Sequence, residues 1–318
     1  MNILVTGTAG FIGFSVSFKL LKLKHTVIGL DNLNSYYDKN LKLHRLKILK
    51  KYKNFIFKKI DISKKKKLNK IKTKKIDFII HLAAQAGVRY SLEKPEEYLN
   101  SNIIGTFNIL EFCKERSIKK LIFSSSSSVY GNNKKIPFKE HHNADEPLQF
   151  YASTKKSCEA MIYSYSKLYD INSTVLRFFT VYGPFGRPDM AIYKFTKNII
   201  NKKKIDVFNK GNHSRDFTYI EDVVESIILL INKKNKTSLY KVFNICSFKK
   251  VSIMKIITFL EKITGKKAKI RFKKKQIGDM IVTYGNNSKL RNYIGYLPKT
   301  NLYDGLKKYV IWFKNYNK

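Results

Sequence analysis

Two residues four positions apart, Tyr151 and Lys155, have side chains that could carry out acid–base chemistry. They fall at the start of a segment with helical periodicity, and this spacing places both side chains on one face of a helix. A phenol has an ordinary pKa near ~10, too high for a base that works near neutrality, but a neighbouring ammonium group stabilises the phenolate. Lowering that pKa by ~3 to 4 units requires about 4 to 5 kcal/mol of differential stabilisation. The pair is therefore a candidate for taking a proton from a substrate hydroxyl group.

The position of this pair in the chain carries more weight than its spacing. The chain has 20 tyrosines and 63 lysines and arginines, so the pattern Tyr-x-x-x-Lys also arises by chance as an incidental pair on a helix surface. Here it follows a serine run, Ser124 to Ser128, at the end of a predicted strand. That run is either part of the same site or the polar end of the strand.

A glycine-rich segment joins the first predicted strand to the first predicted helix. Glycine in such a loop permits a tight turn and lets backbone N–H groups approach a pyrophosphate at the helix N-terminus. The residues expected to form this contact are Gly7, Gly10, Phe11, Ile12 and Gly13. A tight strand-to-helix turn without a ligand is the alternative.

A carboxylate at the end of the second predicted strand supports a dinucleotide ligand. Asp31 occupies this position. A carboxylate there accepts hydrogen bonds from the adenosine ribose and repels a 2′-phosphate. The sequence therefore predicts NAD, in preference to NADP, as the cofactor.

Short β-branched runs alternate with helical stretches through the first 180 residues, which is the pattern of βαβ units with a parallel sheet. The predicted strands are Asn2 to Thr6, Thr26 to Leu30, Phe55 to Lys58, Phe78 to Leu82, Lys120 to Ser124 and Thr174 to Phe178. The clearest predicted helices are Phe14 to Leu23, Glu96 to Arg116, Ala152 to Tyr169 and Ala191 to Asn201. This order predicts an α/β fold with a doubly wound, Rossmann-type parallel sheet and a smaller C-terminal α/β substrate lobe.

The second lobe is expected to begin beyond Gly183, where Pro184, Gly186 and Pro188 interrupt the regular pattern. We expect residues 1–180, together with about 213–247, to form the NAD-binding domain. Residues 181–212 and 248–318 are expected to form the lobe that binds the substrate. A seam between two lobes is a common place for a ligand.

The formal net charge of +40 at pH 7 would ordinarily indicate a nucleic-acid or membrane-surface partner. The lysines, however, occur as short runs such as Lys64 to Lys67 and Lys273 to Lys275, where helix ends and loops are expected. Such runs are solvated by default. We therefore expect no specific nucleic-acid partner.

Cysteine spacing and hydropathy bound the location of the protein. The three cysteines show no CxxC spacing, so neither a disulfide framework nor a metal site is predicted. No stretch approaches the ~20 apolar residues of a membrane span, and the first predicted strand leaves no room for a signal segment. These features predict a cytoplasmic protein without a membrane partner.

The GxxGxxG spacing of the glycine loop and the Tyr151–Lys155 pair resemble the short-chain dehydrogenase/reductase superfamily. Two later segments extend the resemblance: 61–62 (Asp-Ile), either an adenine contact or a capping aspartate, and 81–84 (His-Leu-Ala-Ala), either a cofactor turn or a packed turn. The cofactor contacts that follow are Asp31, Asn32, Asp61, Ile62, Leu82, Ala83, Ala84, Tyr151 and Lys155. The resemblance also implies that a serine hydrogen-bonds the reacting hydroxyl group, with Ser126 the first candidate and Ser128 the second.

Several longer blocks resemble one narrower family, the nucleotide-sugar 4-epimerases that act on UDP-glucuronate. These blocks are residues 31–38 (DNLNSYYD), 83–91 (AAQAGVRYS), 177–184 (RFFTVYGP), 186–190 (GRPDM) and 215–220 (RDFTYI). The resemblance spans nearly the whole chain. It implies an isomerase that uses NAD to invert C4 of a UDP-linked uronate through a transient 4-keto sugar.

Charge and this resemblance together indicate a set of substrate contacts. They are Arg89, Asn102, Thr180, Arg187, Arg215 and Asp279. An arginine binds a carboxylate bidentately, so Arg187 is the candidate for the uronate carboxylate, with Thr180 nearby, unless it is a surface loop residue. By resemblance and charge Arg215 is the candidate for the diphosphate, and by resemblance Asp279 is the candidate for the ribose. Asn102 resembles a substrate-side asparagine, with helix packing as an equal alternative.

Some positions separate this chain from related families. Dehydratases and decarboxylating synthases carry carboxylates directly before Val-Tyr-Gly, where this chain has Ser127-Ser128. Without a carboxylate, dehydration lacks its proton-transfer group. Thr180 stands where plainer hexose epimerases have Asn, and Gln276 stands where they have Arg. The residues at positions 180 and 276 therefore favour a uronate substrate.

Other functions stay open at this point. They are epimerisation of another UDP-hexose or of a UDP-N-acetylhexosaminuronate, decarboxylation of a UDP-uronate, and an NAD-binding scaffold without catalysis. Relatives commonly form homodimers through the helices predicted at Glu96 to Arg116 and Ala152 to Tyr169, and that resemblance implies a homodimer here.

Overall fold

The computed structural model describes residues 1–71, 75–233, 238–275 and 278–317. The strands are β1 Asn2–Thr6, β2 Thr26–Asp31, β3 Phe55–Lys59, β4 Phe78–His81, β5 Lys120–Ser126, β6 Asn172–Phe178, β7 Thr180–Tyr182, β8 Lys204–Phe208, β9 Ser214–Tyr219, β10 Tyr240–Ile245, β11 Lys250–Ser252, β12 Lys269–Lys273 and β13 Val282–Thr283. The α-helices are α1 Phe11–Lys22, α2 Lys39–Leu49, α3 Lys65–Asn69, α4 Tyr90–Glu93, α5 Pro95–Tyr98, α6 Gly105–Glu115, α7 Phe150–Leu168, α8 Ala191–Ile200, α9 Ile220–Asn232, α10 Ile253–Thr264, α11 Ser288–Ile294 and α12 Leu302–Tyr316. A π-helical turn spans Leu99–Ile104, and 3₁₀ turns span Ser127–Tyr130 and Asn209–Gly211.

The largest sheet has seven strands in the order β10-β6-β5-β4-β1-β2-β3. Every neighbouring pair in it is parallel. The strand order reverses between β1 and β4, and ligands of open α/β sheets bind outside the carboxyl ends of strands at such a point. The predicted doubly wound parallel sheet is confirmed.

Both faces of this sheet are covered, which explains its nearly continuous apolar strands. In β1, Ile3 and Val5 join the core that contains Phe14 of α1, whereas Leu4 joins the core that contains Ile109 of α6. Successive side chains of a strand point to opposite faces, so one strand serves both cores.

A smaller sheet lies at the C-terminal side of the chain. In it β9 pairs in parallel with β7 and β13 and antiparallel with β11. A separate parallel pair joins β8 to β12. Strand β9 thus lies in the smaller sheet and β10 in the large one, while the predicted division of the chain into domains stays a prediction.

The helix predicted at Glu96 to Arg116 is not uniform. Its middle, Leu99–Ile104, is a π-helical turn between α5 and α6. The wider turn directs Asn102 inward, where it is 1% exposed. A periodicity of 3.6 residues cannot reveal such a local change, and π-turns occur frequently at functional sites.

None of the helices in the described part of the chain combines the length and apolarity needed to cross a bilayer.

Candidate active site

A large cavity of about 1120 Å³ opens at the carboxyl ends of the parallel strands. Its walls include the loops after β1, β2, β4 and β5 on one side and residues of β7, β8 and 278–280 on the other. The volume exceeds that of most sites for a single small ligand. The cavity can therefore hold a dinucleotide and a second nucleotide together.

The glycine loop is packed so tightly that side chains would not fit. A Cβ atom on Gly13 would lie 2.0 Å from the carbonyl oxygen of Gly7, and one on Gly7 would lie 2.8 Å from the nitrogen of Ala83. Gly10 is the N-cap of α1, and among the described residues no side chain caps it. The first N–H groups of α1 are thus available to an anion at the helix N-terminus. This geometry fits the pyrophosphate of a dinucleotide.

Asp31 at the end of β2 is held in place by the backbone. Its carboxylate accepts from the Ala9 nitrogen at 3.1 Å and the Leu33 nitrogen at 2.8 Å. Burial raises the pKa of Asp31, while these hydrogen bonds and the charges of Lys42 and Arg45 act to lower it. Each carboxylate oxygen can accept a second hydrogen bond, which suits the two hydroxyl groups of a ribose.

The other predicted cofactor residues line the same cavity, and they are Phe11, Ile12, Asn32, Asp61, Ile62, Leu82, Ala83 and Ala84. Asp61 accepts from the backbone and hydroxyl of Ser63 at 2.9 and 2.8 Å. Burial acts to raise the pKa of Asp61, but the hydrogen bonds from Ser63 and Asn32 hold it below its usual value. Thr6 accepts from the nitrogens of Leu82 and Ala83 and so fixes the turn after β4.

Tyr151 and Lys155 both lie on α7 and line the cavity. Lys155 is 2% exposed, and its Nζ donates to the carbonyl oxygen of Ser124 at 2.7 Å. Burial lowers the pKa of Lys155 to about 8. Burial raises the pKa of Tyr151, while a hydrogen bond from Ser126 and the charge of Arg187 lower it. The protein's own groups therefore do not produce the lowered phenol pKa that the Tyr151–Lys155 spacing predicts.

The serine run brings two hydroxyl groups next to this pair. Ser126 is in contact with Tyr151, and its Oγ lies 3.2 Å from Ser128 Oγ and accepts from the Ser128 nitrogen at 3.2 Å. Ser127 lines the cavity as well. The direct contact with Tyr151 favours Ser126 over Ser128 as the partner of the reacting hydroxyl group.

Arg187 lines the cavity in a fixed orientation. Its Nε donates to Asp189 Oδ1 at 3.0 Å and its Nη2 to Oδ2 at 2.5 Å, and Tyr36 donates to the same carboxylate at 3.2 Å. The Arg187 side chain is 20% exposed, unlike that of a free surface loop residue. Asp189 occupies one edge of the guanidinium group, and Nη1 lies on the other edge.

A second basic group lies at the loop that contains residue 279. Arg89 forms an ion pair of 3.2 Å with Asp279 and packs over the ring of Phe208. Arg215 donates to the carbonyl oxygens of Ser214 and Ile281 at 2.9 and 3.1 Å. All of these residues except Ser214 and Ile281 line the cavity. Two guanidinium groups beside one carboxylate leave a net positive charge, which suits a diphosphate.

Comparison with known proteins identifies the family of the chain. Residues 3–246 match the model of the NAD dependent epimerase/dehydratase family. The chain belongs to this family. The predicted resemblance to NAD-dependent nucleotide-sugar epimerases is confirmed at the level of this family.

Individual relatives in this epimerase family match the whole or nearly the whole chain. A UDP-glucuronate 4-epimerase of Thermodesulfobacterium geofontis is 45% identical over 98% of this chain and 95% of its own length. The crystal structure of a UDP-glucuronic acid 4-epimerase from Bacillus cereus with UDP-glucuronic acid and NAD has a TM-score of 0.93 and 36% identity, over 99% of this chain and 100% of that one. A UDP-glucose 4-epimerase of Thermotoga maritima, crystallised with UDP-glucose, has a TM-score of 0.89 and 31% identity over 100% of both chains.

The remaining predicted substrate residues of this epimerase family member differ in position. Thr180 begins β7 and lines the cavity. Asn102 is not among the described residues that line it. Its amide accepts from the nitrogen of Gln85 at 2.8 Å and donates to the oxygens of Gln85 and Thr154. These bonds favour the helix-packing alternative for Asn102. Gln276 lies outside the described residues.

Among the cavity residues that are missing from the sequence-based candidates is Gln149. It directly precedes α7, at the N-cap position. The available signal was a long amide side chain where short polar side chains are preferred.

Proposed function

We propose that this protein is an NAD-dependent 4-epimerase that interconverts UDP-glucuronate and UDP-galacturonate through a transient 4-keto intermediate. One observation carries the proposal: a Tyr151–Ser126–Lys155 group and a fixed arginine, Arg187, line the same cavity. The UDP-glucuronate 4-epimerase that is 45% identical to this chain supports the same substrate.

The cofactor half of the site fits NAD by its own geometry. The N-terminus of α1 and the glycine loop would hold the pyrophosphate, and Asp31 would hold the adenosine ribose. When bound there, NAD would supply a hydride acceptor at C4 of the sugar and a donor for its return. Lys42 Nζ donates to the side-chain oxygen of Asn34 at 2.5 Å and to its carbonyl oxygen at 2.8 Å, so this ammonium group already has two hydrogen-bond partners within the protein.

Proton transfer is the task of the protein's own residues. Ser126 would orient the 4-hydroxyl group, and Tyr151 would take its proton and later return it. Because burial raises the pKa of Tyr151, the phenolate requires additional positive charge. The positively charged ring of oxidised NAD would supply this additional charge, next to the Lys155 ammonium group that the site already holds.

Inversion requires that the 4-keto sugar present its other face before the proton and hydride return. Arg215 and Arg89 would keep the diphosphate anchored during this movement, and Asp279 would hold the uridine ribose. Arg187, with Thr180 and Ser128 close to the reacting end, would bind the uronate carboxylate. In this arrangement the nucleotide end of the substrate would stay anchored while the sugar end turns.

Competing reactions of a uronate are disfavoured at the positions that would drive them. Ser127 and Ser128 stand where proton transfer for dehydration needs a carboxylate. The second candidate is a UDP-glucose 4-epimerase, which the similarity to the Thermotoga maritima enzyme favours. A neutral hexose, however, leaves the Arg187 charge without a partner on the substrate.

A product assay tests the proposal. The purified protein, with NAD, is incubated separately with UDP-glucuronate, UDP-glucose and UDP-N-acetylglucosaminuronate, and the products are resolved by chromatography. We expect UDP-galacturonate from UDP-glucuronate and much slower turnover of the others. Release of carbon dioxide, or preference for UDP-glucose, would overturn the uronate epimerase.

We further propose that the protein is a cytoplasmic homodimer, and its three buried free cysteines fit a reducing compartment. Apolar side chains on the predicted pairing helices support the dimer: Leu99, Ile104, Phe107 and Tyr163 are 47%, 40%, 39% and 50% exposed. Light scattering should give twice the chain mass, and a monomer at micromolar concentration would refute the dimer.

The division into an NAD-binding domain and a UDP-sugar-binding lobe at the predicted boundaries is part of the same proposal.

A further inference from the structure

Gln149 breaks a local rule at the start of the helix that carries Tyr151 and Lys155. Helix N-caps are usually Ser, Thr, Asp or Asn, whose short side chains accept a hydrogen bond from the first turn. Gln149 is the N-cap of α7, with extended φ and ψ of −137° and 151°, and no described side chain caps this helix. Departures from local preference without a local benefit tend to occur at functional sites.

The Gln149 side chain bonds to the loop at Gly278 instead of capping the helix. Its Nε2 donates to the carbonyl oxygen of Gly278, next to Asp279. Gln149 is only 4% exposed. A Cβ atom on Gly278 would lie 3.1 Å from Gln149 Cγ, and Gly278 has a φ of +76°. Glycine at 278 therefore permits this close approach.

The amide oxygen of Gln149 is buried, and no described residue donates a hydrogen bond to it. The bond from Nε2 to a carbonyl oxygen fixes the orientation of the amide, because the flipped amide would place two oxygens together. A buried acceptor without a donor is costly, and such atoms in folded proteins require an explanation. Gln149 also lines the cavity, so a ligand can supply the donor.

The chemistry of the proposed substrate narrows the donor. An ionised uronate carboxylate and a diphosphate have only acceptors, whereas the hydroxyl groups of the hexose ring and of the ribose are donors, and Asp279 is the proposed acceptor for the ribose. Gln149 lies two residues before Tyr151, which acts on the 4-hydroxyl group, and it contacts the loop of Asp279, proposed to hold the ribose. The sugar ring lies between these two ends of the substrate.

We propose that Gln149 is a substrate-binding residue whose amide oxygen accepts a hydrogen bond from a hydroxyl group of the hexuronate ring. Its amide nitrogen ties the start of α7 to the loop at Gly278, so the same side chain positions the two walls of the cavity. This inference rests on the proposed function for the identity of the sugar. Gln149 thus contacts the sugar part of the substrate and not its nucleotide part.

The test replaces Gln149 with methionine, which retains the length of the side chain and removes both amide groups. Calorimetric titration of the NAD-loaded protein measures the dissociation constants of UDP-glucuronate and of UDP. We expect Gln149→Met to weaken UDP-glucuronate by about tenfold, the size expected for one lost hydrogen bond to a neutral group. UDP binding should change by less than about twofold, and the bound NAD content should stay unchanged.

The control is Leu148→Met, at a neighbouring position that is 49% exposed, where both dissociation constants should stay at the wild-type value. Unchanged UDP-glucuronate binding in Gln149→Met would overturn the inference. Equal weakening of UDP would place the contact on the uridine moiety, and loss of NAD would place it on the cofactor, and either result overturns the inference as well.

A second variant and a turnover assay separate the remaining outcomes. If Gln149→Met does not fold, Gln149→Asn takes its place. Asparagine keeps the amide group but is shorter, so this variant should also weaken the binding of UDP-glucuronate by about tenfold. Turnover of UDP-glucuronate by the wild-type protein tests the proposed function independently. A wild-type protein that binds UDP-glucuronate but forms no UDP-galacturonate contradicts the function, whereas the binding ratios still decide the role of Gln149.

Discussion

The two halves of the cavity are built by different means. On the cofactor side, the N-terminus of α1 and the carboxylate of Asp31 are held by backbone groups and retain unused donors and acceptors. On the sugar-nucleotide side, two of the three arginines are already paired with carboxylates, Arg187 with Asp189 and Arg89 with Asp279, while Arg215 donates to backbone carbonyl oxygens. The cofactor half is thus ready to bind, whereas the sugar half must share or exchange ion pairs with its ligand.

This difference has a physical consequence for selectivity. A preformed site binds with little reorganisation, which favours affinity. A site in which protein carboxylates compete with the ligand's charge rejects ligands that cannot replace that charge. We therefore expect the cofactor half to bind NAD tightly and the sugar half to discriminate more strongly between sugar nucleotides.

The largest expected effect falls on proton transfer at the junction of the two halves. Tyr151→Phe should lower turnover of UDP-glucuronate by ~10² to 10⁴-fold, because a general acid–base group is lost, while NAD and UDP-glucuronate still bind. Tyr303→Phe on α12, at a position outside the described cavity lining and outside the proposed dimer helices, is the control. Near-normal turnover of Tyr151→Phe would remove Tyr151 from the reaction.

The pH dependence of stability probes Lys155 on the cofactor side. Its pKa falls from the ordinary 10.5 to about 8 on folding because of burial, so between these values the unfolded chain binds more protons and stability rises with pH. Wild-type protein should gain a few kcal/mol, up to ~3 by the linkage relation, relative to Lys155→Met between about pH 8 and 10.5. Denaturant unfolding measures this difference. If the unfolding free energies of wild-type protein and Lys155→Met changed with pH in parallel, the prediction would be contradicted. Lys156→Met is the control variant.

Removal of the arginine tests the sugar side. Arg187→Ala should weaken UDP-glucuronate by about 10- to 100-fold, the range for a lost charge-assisted hydrogen bond, and leave UDP-glucose nearly unchanged. Steady-state KM values for the two sugars measure the effect, with Arg291→Ala on α11 as control. Equal losses for both sugars would show that Arg187 does not select the carboxylate.

The smallest expected effect comes from the partner of that arginine. Asp189→Asn removes the negative charge that competes for Arg187 but retains the shape of the side chain. We expect a two- to fivefold change in KM for UDP-glucuronate, roughly the effect of a partly exposed ion pair, with turnover of the bound substrate retained. A decrease in KM would show that Asp189 competes with the substrate, and an increase would show that it positions Arg187. Identical kinetics would contradict the proposed contrast between the two halves.

The same contrast decides what the sequence can predict. The glycine loop, Asp31 and the Tyr151–Lys155 pair lie at ends of strands and on one helix face, so spacing alone brings them together. The bond between Gln149 and Gly278 joins residues 129 positions apart, and no local pattern encodes it. The π-turn that buries Asn102 is similarly invisible to helical periodicity. The raised pKa of Tyr151 depends on burial, which requires the folded structure.

The most direct test of the central claim follows a hydrogen atom. UDP-glucuronate deuterated at C4 is incubated with the NAD-loaded protein, and the product is analysed by mass spectrometry and NMR. If the protein inverts C4 by removing and returning the same hydride, UDP-galacturonate should retain the deuterium at C4 without net formation of NADH. Loss of the deuterium to solvent, or accumulation of NADH with a decarboxylated sugar, would contradict the account.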